Sequence, residues 1–489
     1  MQDIVNQINS YVWSPALVYL CLAAGLFFSI LTRFVQVRLF KEMIHLLFSS
    51  KESDRGISSF QALSVSLSGR VGTGNIAGVA AAIGFGGPGA VFWMWVVAFL
   101  GASTAYVESA LGQIYKEEDE GQYRGGPAYY IEKAMGQKWY AWIFAITTII
   151  AVGLLLPTVQ SNSIGNAADL AFGGTGVLET ALGSVTYTKL VTAVIVVTVL
   201  GIIIFGGVKR IAHVTQVVVP FMALGYILMA LVIIAIHISE LPRVFMLIVT
   251  DAFTPMAGIG AAIGWGVKRG VYSNEAGQGT GPHAAAASEV QHPAQQGLVQ
   301  AFSVYVDTLF VCTATAFMIL ITNQYFVTGL ESAVSGGTMP TDVLANSPAF
   351  TQYALESVMG GFGKTFVAVA LFFFAFTTLL AYYYIAETNV AYIRRSFKIP
   401  HEIKILKILL LGSVFYGTVR TADLAWGLGD IGVGVMAWLN IIGILILFFM
   451  GKPALKALKD YEAQRKAGVK EYSFDPEALG IKNADFWKK

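Results

Sequence analysis

The stretch "SGRVGTGNIAGVAAAIGFGGPGAVFWMWVVAFLG", residues 68–101, decides the fold. It is apolar and long enough to cross a bilayer, yet it opens with an arginine, three spaced glycines and an asparagine. Lipid offers no hydrogen bonds, so a spanning segment normally keeps its backbone paired in an unbroken helix, and glycine is a poor helix former. A span that begins this way implies a helix that unwinds where its freed amides line a small polar cavity. The competing reading is a glycine face that lets two helices approach closely.

Composition sets the frame. Of 489 residues, 55% are hydrophobic and 13% charged, against roughly a quarter charged in an ordinary soluble domain. This is a membrane protein. Lys plus Arg (32) nearly balances Asp plus Glu (30), and there is neither a basic stripe nor zinc-like Cys/His spacing, so no nucleic-acid partner is implied. Cys21 and Cys312 fall in apolar runs and carry no redox message. No convergent His/Asp/Glu cluster and no base beside a Ser or Thr suggests an enzyme.

A spanning helix needs about 20 mostly apolar residues. Windows of that kind lie at 12–32, 57–84, 88–115, 139–165, 187–205, 213–237, 243–270, 294–321, 363–393, 403–419 and 424–450. The expected fold is therefore an all-α membrane protein with eleven transmembrane helices. No Lys or Arg precedes the first span, which argues against a cleaved signal peptide. With the N-terminus outside, 27 Lys and Arg fall on the cytoplasmic side, including Lys268 and Arg269 at the end of helix 7. Four (Lys189, Arg243, Lys364, Arg420) fall outside, and Arg70 lies within a span. That asymmetry predicts a multi-pass protein of the cytoplasmic (inner) membrane, N-out and C-in. The tail from Lys452 reads as a cytoplasmic amphipathic or partly disordered segment.

Setting helix 1 aside leaves ten spans, and the glycine-interrupted ones are helix 2 ("GRVGTGN") and helix 7 ("FTPMAGIGAAIGWG"), the first members of two sets of five that enter from opposite sides. Two inverted five-helix repeats with discontinuous first helices are how secondary transporters build a site at the bilayer midplane. The second interruption favours unwinding over simple packing, through Gly72, Gly74, Gly258, Gly260 and Gly264. The expected units are residues 1–56 (first helix and link), 57–237 (repeat 1), 238–450 (repeat 2) and 451–489 (tail).

"GGPGAVFWMWVVAFLG" (86–101), "GTGNIAGVA" (72–80) and "GVKRGVYSNEAGQG" (266–279) resemble motifs of the sodium:alanine symporters, also called alanine or glycine:cation symporters. The resemblance runs through all eleven spans. It implies the leucine-transporter fold with one additional N-terminal helix, and uptake of alanine or glycine driven by Na+, with H+ as the alternative coupling ion. No protein partner is implied beyond the lipid bilayer.

A zwitterionic substrate presents a carboxylate, an ammonium and a side chain. The carboxylate suits free amides where a half-helix begins, here Thr73, Gly74 and Asn75, with the Gln160 amide in "PTVQSNSIGN" donating beside them. The ammonium suits carbonyls of the opposing break, expected around Phe253, Thr254, Gly258 and Ile259, where Phe253, Met256 and Ile259 would limit side-chain size. The resemblance places one sodium between the Thr377 and Thr378 hydroxyls and the Ser68 and Val71 carbonyls, since a hard cation wants oxygen ligands. Asp307, midway along helix 8, is the best-placed acid for coupling. Asp251 is expected nearer the outer third of helix 7, and Glu108 and Glu387 near cytoplasmic helix ends with capping or snorkelling roles. Arg70 falls beside a second sodium position and is expected to pair with Asp307. Ser273, Asn274 and Glu275 are expected in an inner gate, with His283 and His292 as nearby surface-loop residues.

Overall fold

The protein is described by a computed structural model that covers residues 2–50, 52–173, 176–180, 183–253, 258–329, 339–340, 343–397, 400–420 and 422–488. The helices in chain order are α1 (Gln2–Val12), α2 (Pro15–Leu31), α3 (Val35–Arg38), α4 (Phe40–Leu46), α5 (Ser59–Arg70), α6 (Ala77–Gly86), α7 (Ala90–Ile114), α8 (Pro127–Met135), α9 (Lys138–Ile150), α10 (Leu156–Phe172), α11 (Tyr187–Ile204) and α12 (Gly207–Ile236). They continue with α13 (Leu241–Phe253), α14 (Ile259–Asn274), α15 (Gly281–Ala287), α16 (Pro293–Val304), α17 (Thr313–Ile321), α18 (Ala349–Met359), α19 (Gly363–Arg394), α20 (Glu402–Val419), α21 (Ala422–Gly451) and α22 (Pro453–Lys466). Among the described residues, seven helical stretches are long and apolar enough to cross a membrane, or eight if the α1–α2 pair, bent by 40°, counts as one. Two antiparallel hairpins, β1–β2 (Glu117–Asp119, Gln122–Arg124) and β3–β4 (Val177–Thr180, Gly183–Thr186), are the strands among the described residues. They lie in segments read from the sequence as plain polar connections.

Local chemistry explains where the helices start and deform. Ser58 and Gln61 form a reciprocal cap at the start of α5: the Gln61 amide N donates to Ser58 Oγ at 3.2 Å, and the Ser58 amide N to Gln61 Oε1 at 2.9 Å. Between α9 and α10 the chain widens into a π-type turn, Ala151–Leu155, just ahead of Pro157, whose missing N–H breaks the regular ladder. A second widened turn, Tyr305–Cys312, separates α16 from α17 and carries Asp307.

Three expectations change at this level. The stretch expected as one interrupted helix over 243–270 is two helices, α13 and α14, and α14 runs on to Asn274. Lys268 and Arg269 instead pair with Asp430 of α21, Arg269 buried and Lys268 partly buried, and the basic asymmetry between the two faces survives their removal. The tail is folded: α22 docks through Arg465 to Glu42 (3.0 Å) and through Glu462 to Arg38 (2.7 Å).

Beyond α22 the chain wraps over the same face, where Trp487 Nε1 donates to the Gln113 carbonyl at 2.9 Å. Phe486 and Trp487 cover Lys116, whose Nζ lies 4.4 Å from the Tyr123 and Phe486 rings and donates to the Ser288 carbonyl at 2.9 Å. Burial pulls the Lys116 ammonium down to about 7. Its unfolded value is about 10.4, so folding releases a proton at intermediate pH, and the stability contributed here rises as pH climbs from about 7 towards 10. The stability difference between wild type and Lys116→Met, read by thermal unfolding, should shift in favour of wild type between pH 7 and 9. A difference independent of pH would contradict this.

Candidate functional site

The opening stretch is broken as its glycines suggest. α5 stops at Arg70, Gly72 adopts an extended conformation (φ −140°, ψ −148°), and a single 3-10 turn, Thr73–Asn75, leads into α6. Side chains replace the lost helical partners. The Gly72 amide donates to Asn75 Oδ1 at 2.8 Å and the Thr73 amide to Gln160 Oε1 at 3.0 Å. Gln160 thus uses its carbonyl oxygen to hold the turn. The Thr73 hydroxyl is fully buried and has no hydrogen-bond partner among the described residues.

The glycines are needed for contact as well as for unwinding. A Cβ at Gly72 would lie 2.4 Å from Thr378 Oγ1, and one at Gly74 would lie 3.1 Å from Ser273 Cα. The element facing the first break is therefore the end of α14. A second break follows it: Glu275 is left-handed (φ 57°), Gly277 and Gly279 have φ 86° and 83°, and α15 resumes at Gly281. The G-x-G spacing of residues 72–74 recurs at 277–279, a signal in the sequence that the "TPMAG" proline obscured.

The residues expected to form the second half of the site lie apart from this junction. Phe253 is more than half exposed and stacks edge-on with Phe92. Gly258 is exposed with nothing near its Cβ position, and Ile259 merely opens α14. Thr254 and Met256 lie outside the described residues.

Around the junction of the first break with the end of α14 the polar residues converge. Asp307, fully buried on its widened turn, receives Asn75 Nδ2 at 2.7 Å and Ser273 Oγ at 3.0 Å on Oδ1, and Thr308 Oγ1 at 2.7 Å on Oδ2. Asn274 Nδ2 donates to Thr308 Oγ1 at 3.3 Å. Both breaks and the widened turn thus meet on one carboxylate. The expected Arg70–Asp307 pair is not formed, because these three donors already surround the acid; Arg70 Nη1 instead donates to the Gln300 carbonyl at 3.0 Å and to Ser303 Oγ. Glu275 accepts from Thr280 Oγ1 at 2.8 Å and lies within hydrogen-bonding reach of the Tyr382 hydroxyl.

Of the expected cation ligands, Thr378 faces the unwound turn, whereas Thr377 turns towards Met222 of α12 at 3.8 Å. Both hydroxyls donate to the Phe374 carbonyl at 3.0 Å, and Ser68 Oγ donates to the Val65 carbonyl at 2.7 Å. Val71 is fully buried at the C-cap of α5. Asp251 is buried and accepts the Gly89 amide at 2.7 Å. His283 and His292, expected on the surface, are fully buried. The first lies against Asn389 Nδ2 at 2.8 Å, and the second lies 3.1 Å from Asp460 of α22.

Two acids carry more than the sequence suggested. Glu108 of α7, fully buried, caps the second break by accepting the Gly277 and Gly279 amides at 3.2 and 3.1 Å and Asn440 Nδ2 at 2.7 Å. Asp430 pairs with both Lys268 and Arg269 at 2.7 Å. An ionisable residue inside an apolar span is itself the signal for both.

Above the junction, on the face carrying α1, lies a cavity of about 640 Å³ between α1, α14 and α21. Its floor is Arg269 and Trp426. These are the neighbours, with the Thr73 carbonyl, that a Cβ at Gly78 would meet at 3.8–4.0 Å. The opposite face is closed. There the Ile57 amide donates to the Ala287 carbonyl at 3.0 Å and the Glu289 amide to the Ile57 carbonyl at 2.8 Å, stitching the start of α5 to the end of α15.

The family model described as "Sodium:alanine symporter family" matches residues 1–476. The chain belongs to the sodium:alanine symporter family. It is 58% identical to YrbD of Bacillus subtilis (strain 168), over all of this chain and 98% of that protein. It is 50% identical to the sodium/proton-dependent alanine carrier protein of Bacillus sp. (strain PS3), over 91% of this chain and 97% of that one. Among solved structures it resembles MhsT in complex with L-phenylalanine, with a TM-score of 0.54 at 15% identity, covering 82% of this chain and all of MhsT. At that identity the likeness shows a shared architecture alone. This chain is an amino-acid:cation symporter rather than an enzyme.

Two substitutions test the junction. Gly72→Ala drives a methyl into Thr378 and should abolish uptake while leaving the protein inserted and folded. Glu108→Gln loses charge-assisted bonds to two amides and should destabilise the protein by about 2–3 kcal/mol. Uptake assays beside thermal unfolding read both, and wild-type behaviour in either variant would remove that residue from the site.

Proposed function

We propose that the protein takes up alanine or glycine together with Na+ by alternating access, binding the substrate between the two breaks. The observation that carries this reading is the buried, unpartnered Thr73 hydroxyl in an unwound turn whose amides are held by side chains rather than by helix. The substrate carboxylate sits against Thr73, Gly74 and Asn75, with Gln160 exchanging its bond to the Thr73 amide for one to the ligand. The close approach of Gly74 and Ser273, where an added Cβ would lie 3.1 Å from Ser273 Cα, supports a substrate with a small side chain.

Na+ is held by Ser68, Val71, Thr377 and Thr378, a neutral oxygen set suited to a hard cation. Ser273, Asn274 and Asp307 couple the two breaks, with Glu275 and Arg70 on the closed side. Proton coupling is the second reading, favoured by the two buried carboxylates, Asp307 and Glu275, at the junction and by the name of the Bacillus sp. (strain PS3) relative. The architecture behind this reading has eleven crossings. Residues 1–56 form an added helix and link, 57–237 and 238–450 are inverted repeats, and 451–489 form a cytoplasmic tail. The N-terminus lies outside the inner membrane. In that orientation the open cavity faces outward and the stitched face inward.

Purified protein in liposomes should accumulate labelled alanine under an inward Na+ gradient and lose accumulation when choline replaces Na+ at fixed pH. Accumulation that survives the exchange and collapses with a protonophore would assign coupling to H+. Thr73→Ala or Gln160→Ala should lower uptake at least tenfold, about 1.4 kcal/mol of lost binding; undiminished uptake would place the carboxylate elsewhere.

A further inference from the structure

Tyr382 of α19 is buried one turn beyond Thr378, on the same face of the helix. Its hydroxyl lies within hydrogen-bonding reach of two side chains, Gln160 of α10 and Glu275 at the end of α14. Those two residues belong to different breaks. Gln160 Oε1 holds the Thr73 amide of the first at 3.0 Å, and Glu275 holds Thr280 Oγ1 across the second at 2.8 Å. Packing keeps the groups together: a Cβ at Gly72 would lie 2.9 Å from Gln160 Oε1, and one at Gly69 would lie 3.2 Å from Glu275 Oε2 and 3.5 Å from Ala381 Cβ. Two residues further along α19, Tyr384 donates to the His283 carbonyl of α15 at 3.2 Å. α19 thus grips the second break on both sides.

Hydrogen-bond chemistry fixes the direction of each bond. A phenol has one proton to donate, and a carboxylate only accepts. Tyr382 therefore donates to Glu275 and accepts from Gln160 Nε2, since Gln160 Oε1 is taken by the Thr73 amide. Both ends of the Gln160 amide are then in use. A substrate carboxylate also only accepts, so Gln160 meets it through Nε2 alone, and turning that group to the ligand removes the bond to Tyr382.

We propose that Tyr382 is a positioning residue that passes occupancy of the substrate site on to the second break. In the empty protein it ties Gln160 to Glu275 and so locks the first break to the segment that leads into the stitched face. With substrate bound, the tie opens at Gln160 and the segment from Glu275 to Thr280 is free to move. The proposal rests on the symport reading for the ligand that Gln160 meets.

Amide hydrogen exchange and equilibrium binding of labelled alanine, both on the full-length protein in Na+, test it. In wild type, alanine should speed exchange across residues 275–281. Tyr382→Phe keeps the ring and removes the hydroxyl. Its 275–281 segment should exchange at the faster rate without alanine, and it should bind alanine about fivefold more tightly, the weight of one ordinary hydrogen bond no longer broken on binding. A role in packing alone would leave binding unchanged or weaken it. Thr280→Val removes the other donor to Glu275 and should speed exchange without tightening alanine. Exchange in wild type that ignores alanine would overturn the proposal whether or not the variants fold. Tyr382→Phe binding no tighter than wild type, or equal tightening in Thr280→Val, would also overturn it and leave the symport reading standing. No binding of alanine to wild type would overturn both.

Discussion

Inside a bilayer a peptide group that leaves its helix must find another partner, because lipid supplies none. In this protein that constraint acts twice, at Val71–Ile76 and at Glu275–Thr280, and most of the interior polar residues follow from it. Asn75 and Gln160 take the amides of the first break, and Glu108 takes those of the second. Asp307 ties the two together through Asn75 and Ser273. Buried polar residues that look like unrelated exceptions to an apolar sequence form one network with one cause.

The network also accounts for the glycines. Those at 72 and 74 let Thr378 and Ser273 approach the unwound turn, while those at 277 and 279 supply backbone angles that residues with a side chain rarely adopt. Side chains thus hold the freed amides at both breaks, while the Thr73 hydroxyl between them has no partner among the described residues.

Much of this was legible in the sequence. Apolar length located the spans, and "GRVGTGN" located the first break with Thr73, Asn75 and Gln160 about it, because local propensity and lipid physics point the same way there. The break after α14 did not register. Pro255 and Gly258 look locally like the stronger interruption, whereas the break at Glu275–Thr280 is marked by its approach to the first one, a tertiary property. The same limit hid Asp430. Its partners Lys268 and Arg269 are about 160 residues away in sequence and, as adjacent basic residues, looked like a membrane-interface marker. Arg70 was recognised as buried, but which acceptor its long side chain reaches is settled by packing alone. The two hairpins carried too few alternating residues to register.

The Glu108 carboxylate deserves a mechanical reading. It is rooted in α7, it holds the peptide amides between α14 and α15, and it shares one oxygen with Asn440 of α21. Three helices are thereby riveted at a single buried point. Any rearrangement that exposes the junction alternately to the two sides must swing around that rivet as a pivot, with larger excursions at the helix ends than at their centres.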